Sequence, residues 1–156
     1  MNFKPQFTTP DKSKGAGGPS YEPVSNYMVH VKDMITFRPD QTIQEVIDII
    51  IDKRISGAPV LDSNKKLVGM ISEKDCLKII VDHVYHNLPM ETRKVSDYMT
   101  KEVKTMAPTS DVVSAANEFL STPIRRMPVV DNHVLLGQIS RRDILRAAKK
   151  ISPTTW

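Results

Sequence analysis

The sequence repeats itself once. Val24-Ser25-Asn26-Tyr27-Met28 returns 71 residues later as Val95-Ser96-Asp97-Tyr98-Met99, and Pro39 and Pro59 return 69 residues later as Pro108 and Pro128. Gly69-Met70-Ile71-Ser72-Glu73-Lys74-Asp75 returns 68 residues later as Gly137-Gln138-Ile139-Ser140-Arg141-Arg142-Asp143. Two copies of about 55 residues account for nearly everything after Tyr21. A unit that small cannot close a core alone, and duplication gives it a partner to bury its sheet against. A pseudo-two-fold pair is the natural architecture.

Each copy spells the same elements. After Pro39, the apolar residues Ile43, Val46, Ile47 and Ile50 form one stripe of an amphipathic helix, with Thr42 and Glu45 as a capping box. Val112, Ala115, Ala116 and Phe119 take the same places in the second copy, with Asp111 at the N-cap and Pro123 as the stop. Ala58–Leu61, the turn Asp62-Ser63-Asn64 and Leu67–Ile71 read as strand, turn and strand, matched by Met127–Val130, Asp131-Asn132 and Val134–Ile139. A closing helix begins at Ser72 or Ser140 and is expected to bury Leu77 and Ile80, or Ile144, Leu145 and Ala148. The expected class is therefore α/β (α+β), two β-α-β-β-α repeats over 22–90 and 91–150. A flexible Gly- and Pro-containing leader over 1–21 precedes them and a short tail over 151–156 follows.

Composition narrows the function classes. A chain of 156 residues with one cysteine has neither a disulfide framework nor a Cys-rich zinc site, and no window approaches the ~20 apolar residues of a membrane span. The leader lacks an apolar signal core, so a cytoplasmic protein is expected. The net charge of +4 sits in residues 91–156, at Arg125-Arg126, Arg141-Arg142, Arg146 and Lys149-Lys150. Such a field suits a phosphorylated ligand, an acidic lipid or nucleic acid, or it is a solvated helix face.

Taken together and doubled in register, these segments resemble the cystathionine β-synthase (CBS) domain in its tandem pair. The resemblance runs from about Val24 to Lys149 and rests on V-S-x-Y-M, on Ile55-Ser56-Gly57-Ala58-Pro59-Val60 with Ile124-Arg125-Arg126-Met127-Pro128-Val129, and on G-x-I-S-x-x-D twice. It implies a regulatory, non-catalytic module that binds AMP, ADP, ATP or S-adenosylmethionine in clefts between the repeats. It further implies a homodimer built through the helices and a regulated protein as partner. By the same resemblance Asp75 and Asp143 are ribose acceptors, and Ser72 and Ser140 are hydroxyls near ribose or phosphate. Thr36-Phe37-Arg38, Thr105-Met106-Ala107, Gly57-Ala58 and Arg126-Met127 are cleft walls. Serine stands in both motifs where threonine is commoner, and the hydroxyl is kept.

The residues themselves carry two readings. The first turn of each closing helix favours an anion. Arg141 and Arg142 lie in that turn in the second copy, where Glu73 and Lys74 cancel in the first, so the second site is expected to prefer the more phosphorylated ligand. S-x-x-D before an apolar run is equally a helix-capping box. His83 and His86 stand three residues apart without a set of companion ligands, and Cys76 at the head of an apolar helix reads as a buried small residue. The chain has no catalytic triad pattern, HExxH, phosphate loop or G-x-G-x-x-G. The rival functions are a structural or dimerisation module with empty clefts and a nucleic-acid binder using the basic C-terminal third. The latter lacks interleaved aromatics.

Overall fold

The computed structural model describes residues 21–87 and 89–151, so the leader expected over 1–21 lies outside them apart from Tyr21, as does the tail beyond Ile151. Strands and helices mix as expected in an α+β fold. Helices α1 (Ile43–Lys53), α2 (Glu73–His86), α3 (Val95–Tyr98), α4 (Val112–Ser121) and α5 (Arg141–Ala148) pack on strands β1 (Val29–His30), β2 (Gly57–Leu61), β3 (Leu67–Ser72), β4 (Arg126–Asp131) and β5 (Val134–Ser140). The β2–β3 and β4–β5 hairpins are antiparallel, and each gains a parallel bridge along its other edge, Phe37 to Val60 and Met106 to Val129.

Turn chemistry sets both hairpins. Asn132 and His133 have φ of 50° and 69°, the two left-handed residues of a tight two-residue turn whose twist matches its strands. The longer first turn is held by Asp62, whose Oδ1 accepts from Asn64 N at 2.8 Å and Lys66 N at 2.9 Å. Helices α1 and α4 start where Thr42 and Asp111 accept from Glu45 N and Ser114 N.

The opening motifs cross over. Val95 is fully buried, with Tyr98 and Met99 beside it, in the core built from the first copy's Phe37, Val46, Val60, Ile71 and Ile79. Val24, Tyr27 and Met28 pack into the second copy's core with Phe119, Met127 and Ile139. Backbone bonds repeat the exchange: Val24 N to Ser110 O and Ser25 N to Pro108 O mirror Val95 N to Gln41 O and Ser96 N to Pro39 O. On the sheets, β1 pairs with β5, and Thr100 bonds Met70 in both directions. Covalent copies and packed halves therefore do not coincide.

The exchange explains the glycine of each G-x-I-S motif. A Cβ on Gly69 would lie 2.6 Å from Met99 Sδ, and one on Gly137 would lie 2.3 Å from Val29 O and 2.9 Å from Met28 Sδ. The paired motifs are thus two sides of one contact, made twice.

The closing helices differ from expectation in phase. Cys76 and Ile79 are buried in α2, and Ala147 in α5 with Ile144 packed beside it, while Leu77 is 61% and Leu145 69% exposed, and Ile80 and Ala148 face solvent too. The capping box decides this. Asp75 and Asp143 must reach back to the N-cap, which turns their i+4 neighbours inward and the following residues outward.

Candidate functional site

A cleft of about 200 Å³ opens between the halves. The first half contributes Asp33, Met34, Ile35, Ile55, Gly57 and Pro59, joined by Val29, and β4 and β5 contribute Arg126 and Gln138. The fold explains why one side is small and the other charged. Gly57 stands opposite Ser72 in the β2–β3 ladder, and a Cβ there would lie 2.6 Å from Ile71 O and 3.0 Å from Ser72 Cα. The equivalent place, opposite Ser140, is taken by the exposed Arg126, whose side chain lines this same cleft. An apolar slot thus sits beside one guanidinium and one carboxylate.

Asp75 and Asp143 are both buried, 8% and 4% exposed, and both complete capping boxes. Asp75 Oδ2 accepts from Ser72 N and Ser72 Oγ, each at 2.9 Å, and Asp143 Oδ2 accepts from Ser140 N and Ser140 Oγ, each at 2.8 Å. The second oxygens differ. Asp143 Oδ1 is taken by the Arg146 guanidinium, whereas among the described residues no donor reaches Asp75 Oδ1.

The other expected wall residues divide. Phe37, Ala58, Met106 and Met127 are core side chains, at most 6% exposed, and Phe37 and Met106 also have both backbone groups bonded to the adjacent strand. The first half's wall is instead Met34 and Ile35. Two residues earlier than expected, they follow the short 3-10 turn at Val31–Asp33 that sequence periodicity does not signal. Arg38 is exposed and pairs with Asp40, and Thr36 does not line this cleft. Thr105 lines a separate cavity of about 190 Å³ with Lys101, His133 and the outer part of β3.

The basic side chains of α5, expected near a phosphate, are placed separately. Arg141 Nη2 donates to Phe119 O and Thr122 O at the end of α4, Arg146 is held by Asp143, and Arg142 and Lys74 are exposed on the helices. Four unpaired carbonyls end every α-helix, and Arg141 answers two near the end of α4. Cys76 is buried, and desolvation, with smaller contributions from Asp75 and Glu73, pushes its thiol pKa up, away from reactivity. His83 and His86 sit in the last turn of α2, and among the described residues no group of three His, Cys, Asp or Glu could hold a metal. No described helix is long and apolar enough to cross a membrane.

Known proteins share this arrangement. The CBS domain family profile matches residues 24–82 and 95–150. Over 122 residues the chain is 38% identical to inosine-5′-monophosphate dehydrogenase of Methanocaldococcus jannaschii, a match that covers 78% of this chain and 23% of that one. The chain therefore spans under a quarter of that enzyme's length. Among solved structures, CBSX2 in complex with AMP superposes with a TM-score of 0.73 at 28% identity, covering 85% of this chain and 98% of that one. The CBS domain pair of protein MJ0100, in complex with 5′-methylthioadenosine and S-adenosyl-L-methionine, gives 0.65 at 25% identity, covering 85% and 100%.

Proposed function

This chain belongs to the CBS domain family as a tandem pair, and from that premise we propose that it is a regulatory module taking one adenosine-containing ligand in the Gly57–Arg126 cleft. AMP, ADP, ATP and S-adenosylmethionine are the candidate ligands, and a partner protein reads the occupancy. The observation that carries this reading is the asymmetry of the cleft. Met34, Ile35, Ile55 and Pro59 offer an apolar slot for a base. Behind Gly57, outside the cleft's own lining, Asp75 bonds Ser72 through Oδ2 and keeps an Oδ1 that no donor among the described residues reaches, which suits a ribose hydroxyl. Arg126 supplies a counter-charge for a phosphate or for the carboxylate of S-adenosylmethionine. Relatives support the class of ligand, since CBSX2 carries AMP and the MJ0100 pair carries two adenosine derivatives.

No catalytic role belongs to this reading. The ligand acts by differential affinity, favouring whichever arrangement of the two halves closes the cleft. Calorimetric titration with adenosine, AMP, ADP, ATP and S-adenosylmethionine tests it. The expected result is one ligand per chain, with Arg126→Ala weakening AMP about tenfold and adenosine less than twofold. Absence of heat or thermal stabilisation with all five would favour the structural module with empty clefts. Steep salt dependence of binding to a mixed oligonucleotide would favour the nucleic-acid reading.

A further inference from the structure

The Gly57–Arg126 cleft is bordered by three polar residues, Asp33, Arg126 and Gln138, whose side chains have no hydrogen-bond or ion-pair partner among the described residues. Strand register sets two of them together. Arg126 stands opposite Ser140 and Pro128 opposite Gln138 on β4–β5, so Arg126 and Gln138 share one face as diagonal neighbours. Asp33 ends the 3-10 turn Val31–Asp33, which packs on β5 and follows β1, where Val29 pairs with Gln138. A carboxylate from the first copy thus reaches the same cleft as a guanidinium and an amide from the second. The set occurs once. Its counterparts in the other copy are Glu102 for Asp33, Gly57 for Arg126 and Met70 for Gln138, and Lys104, in the place of Ile35, is paired with Glu118.

Two opposite charges at one cleft choose between ligands. A nucleotide brings phosphate alone, which Arg126 attracts and Asp33 repels. An adenosine derivative that ends in an amino-acid group brings an ammonium for Asp33 and a carboxylate for Arg126, and a sulfonium adds a second positive charge. The Gln138 amide can donate to that carboxylate or accept from that ammonium. We propose that Asp33 is the specificity-determining residue of this cleft, selecting an adenosine derivative with a zwitterionic, amino-acid end over AMP, ADP and ATP. This assignment rests on the adenosine-ligand reading given above and decides among its candidates. Arg126 favours either class through its positive charge, whereas Asp33 favours one class and opposes the other.

The test is calorimetric titration of the full chain and of Asp33→Asn with S-adenosylmethionine, AMP and magnesium ATP, with adenosine as the uncharged reference. Asp33 is exposed and its side chain bonds nothing among the described residues, so the variant should keep the parent's melting temperature. The parent should bind S-adenosylmethionine about tenfold more tightly than AMP. Asp33→Asn should weaken S-adenosylmethionine about fivefold, tighten AMP about threefold and leave adenosine unchanged. Those opposite signs are what a loss of packing would not produce. A parent that prefers AMP or magnesium ATP overturns the proposal, and so does a variant that shifts both charged ligands alike. In both cases the cleft still binds, and the adenosine-ligand reading stands. Failure of all four ligands to bind removes that reading and this assignment with it.

Discussion

The two halves share a frame and differ in the surfaces that frame carries. Both use a capping box to set the closing helix, both take the other's opening motif into their core, and both need glycine under the methionine they receive. They part at Gly57 against Arg126, at the second oxygen of Asp75 against that of Asp143, at Glu73 against Arg141, and inside the closing helices. There the first half buries Cys76 and Ile79, the second packs Ile144 and buries Ala147, and the larger side chain has moved by one turn. A common scaffold can thus carry two unequal surfaces.

The largest effect expected from breaking this comparison lies in the closing helices. Ile79→Ala empties a fully buried position and should cost about 3–4 kcal/mol, lowering the melting temperature by roughly 10 °C. Ala147 stands in its place in the second half, so no truncation there has a comparable effect. Leu77→Ala should change the unfolding free energy by under about 0.5 kcal/mol. Urea titration of the two variants checks both, and similar losses would mean that the helix is set in the other phase. Next come the glycines. Gly137→Ala meets backbone, Val29 O at 2.3 Å, whereas Gly69→Ala first meets the flexible end of Met99. Costs of about 3 and about 1 kcal/mol are expected, measured in the same way, and equal costs would remove the proposed difference between the two exchange contacts.

Much of this frame was legible because it rests on local rules. The α1 and α4 stripes, the caps at Thr42 and Asp111, both hairpins and the two S-x-x-D starts are signals within a few residues, and the structure has each of them. What was not legible depends on geometry between distant segments. Leu77 and Leu145 look like core residues by hydropathy, and only the reach of Asp75 and Asp143 to their caps shows that they face out. The exchange of opening motifs leaves no trace in the spacing of the copies. The bonds of Arg141 to carbonyls at the end of α4, which lies beside it in space, likewise have no local signal. Met34 and Ile35 were missed as cleft walls because the turn before them follows no apolar period.

A smaller effect separates the two carboxylates. Asp75→Asn removes the charge of an oxygen that no described donor occupies, whereas Asp143→Asn alters one already held by Arg146. AMP titration should show about a tenfold loss for the first, near 1.4 kcal/mol, and less than twofold for the second. Both amides keep an oxygen to accept from the N-cap serine, so each variant should remain folded. A greater loss at Asp143 would move the working cleft to the other half.

The smallest effect expected is a pH dependence confined to the first half. Cys76 is buried there, and desolvation, then the charges of Asp75 and Glu73, raise its thiol pKa in the folded chain, while its counterpart Ile144 does not titrate. Below the unfolded thiol value of about 8.5 both states hold the proton and stability is unaffected. As pH rises past that value the unfolded chain releases the proton first and binds fewer than the folded one, so stability falls until the folded pKa is passed. The Tyr27 hydroxyl, which donates to Glu22, is also shifted upward from 10.0, so its contribution begins only at higher pH. Between about pH 8 and 9.5 the parent should therefore lose stability relative to Cys76→Ala, by urea titration at each pH, and the thiol of the folded chain should alkylate more slowly than that of the denatured chain. Parallel pH profiles for parent and variant, with equal alkylation rates, would mean that α2 opens often enough to solvate the thiol. The first half would then be the looser of the two.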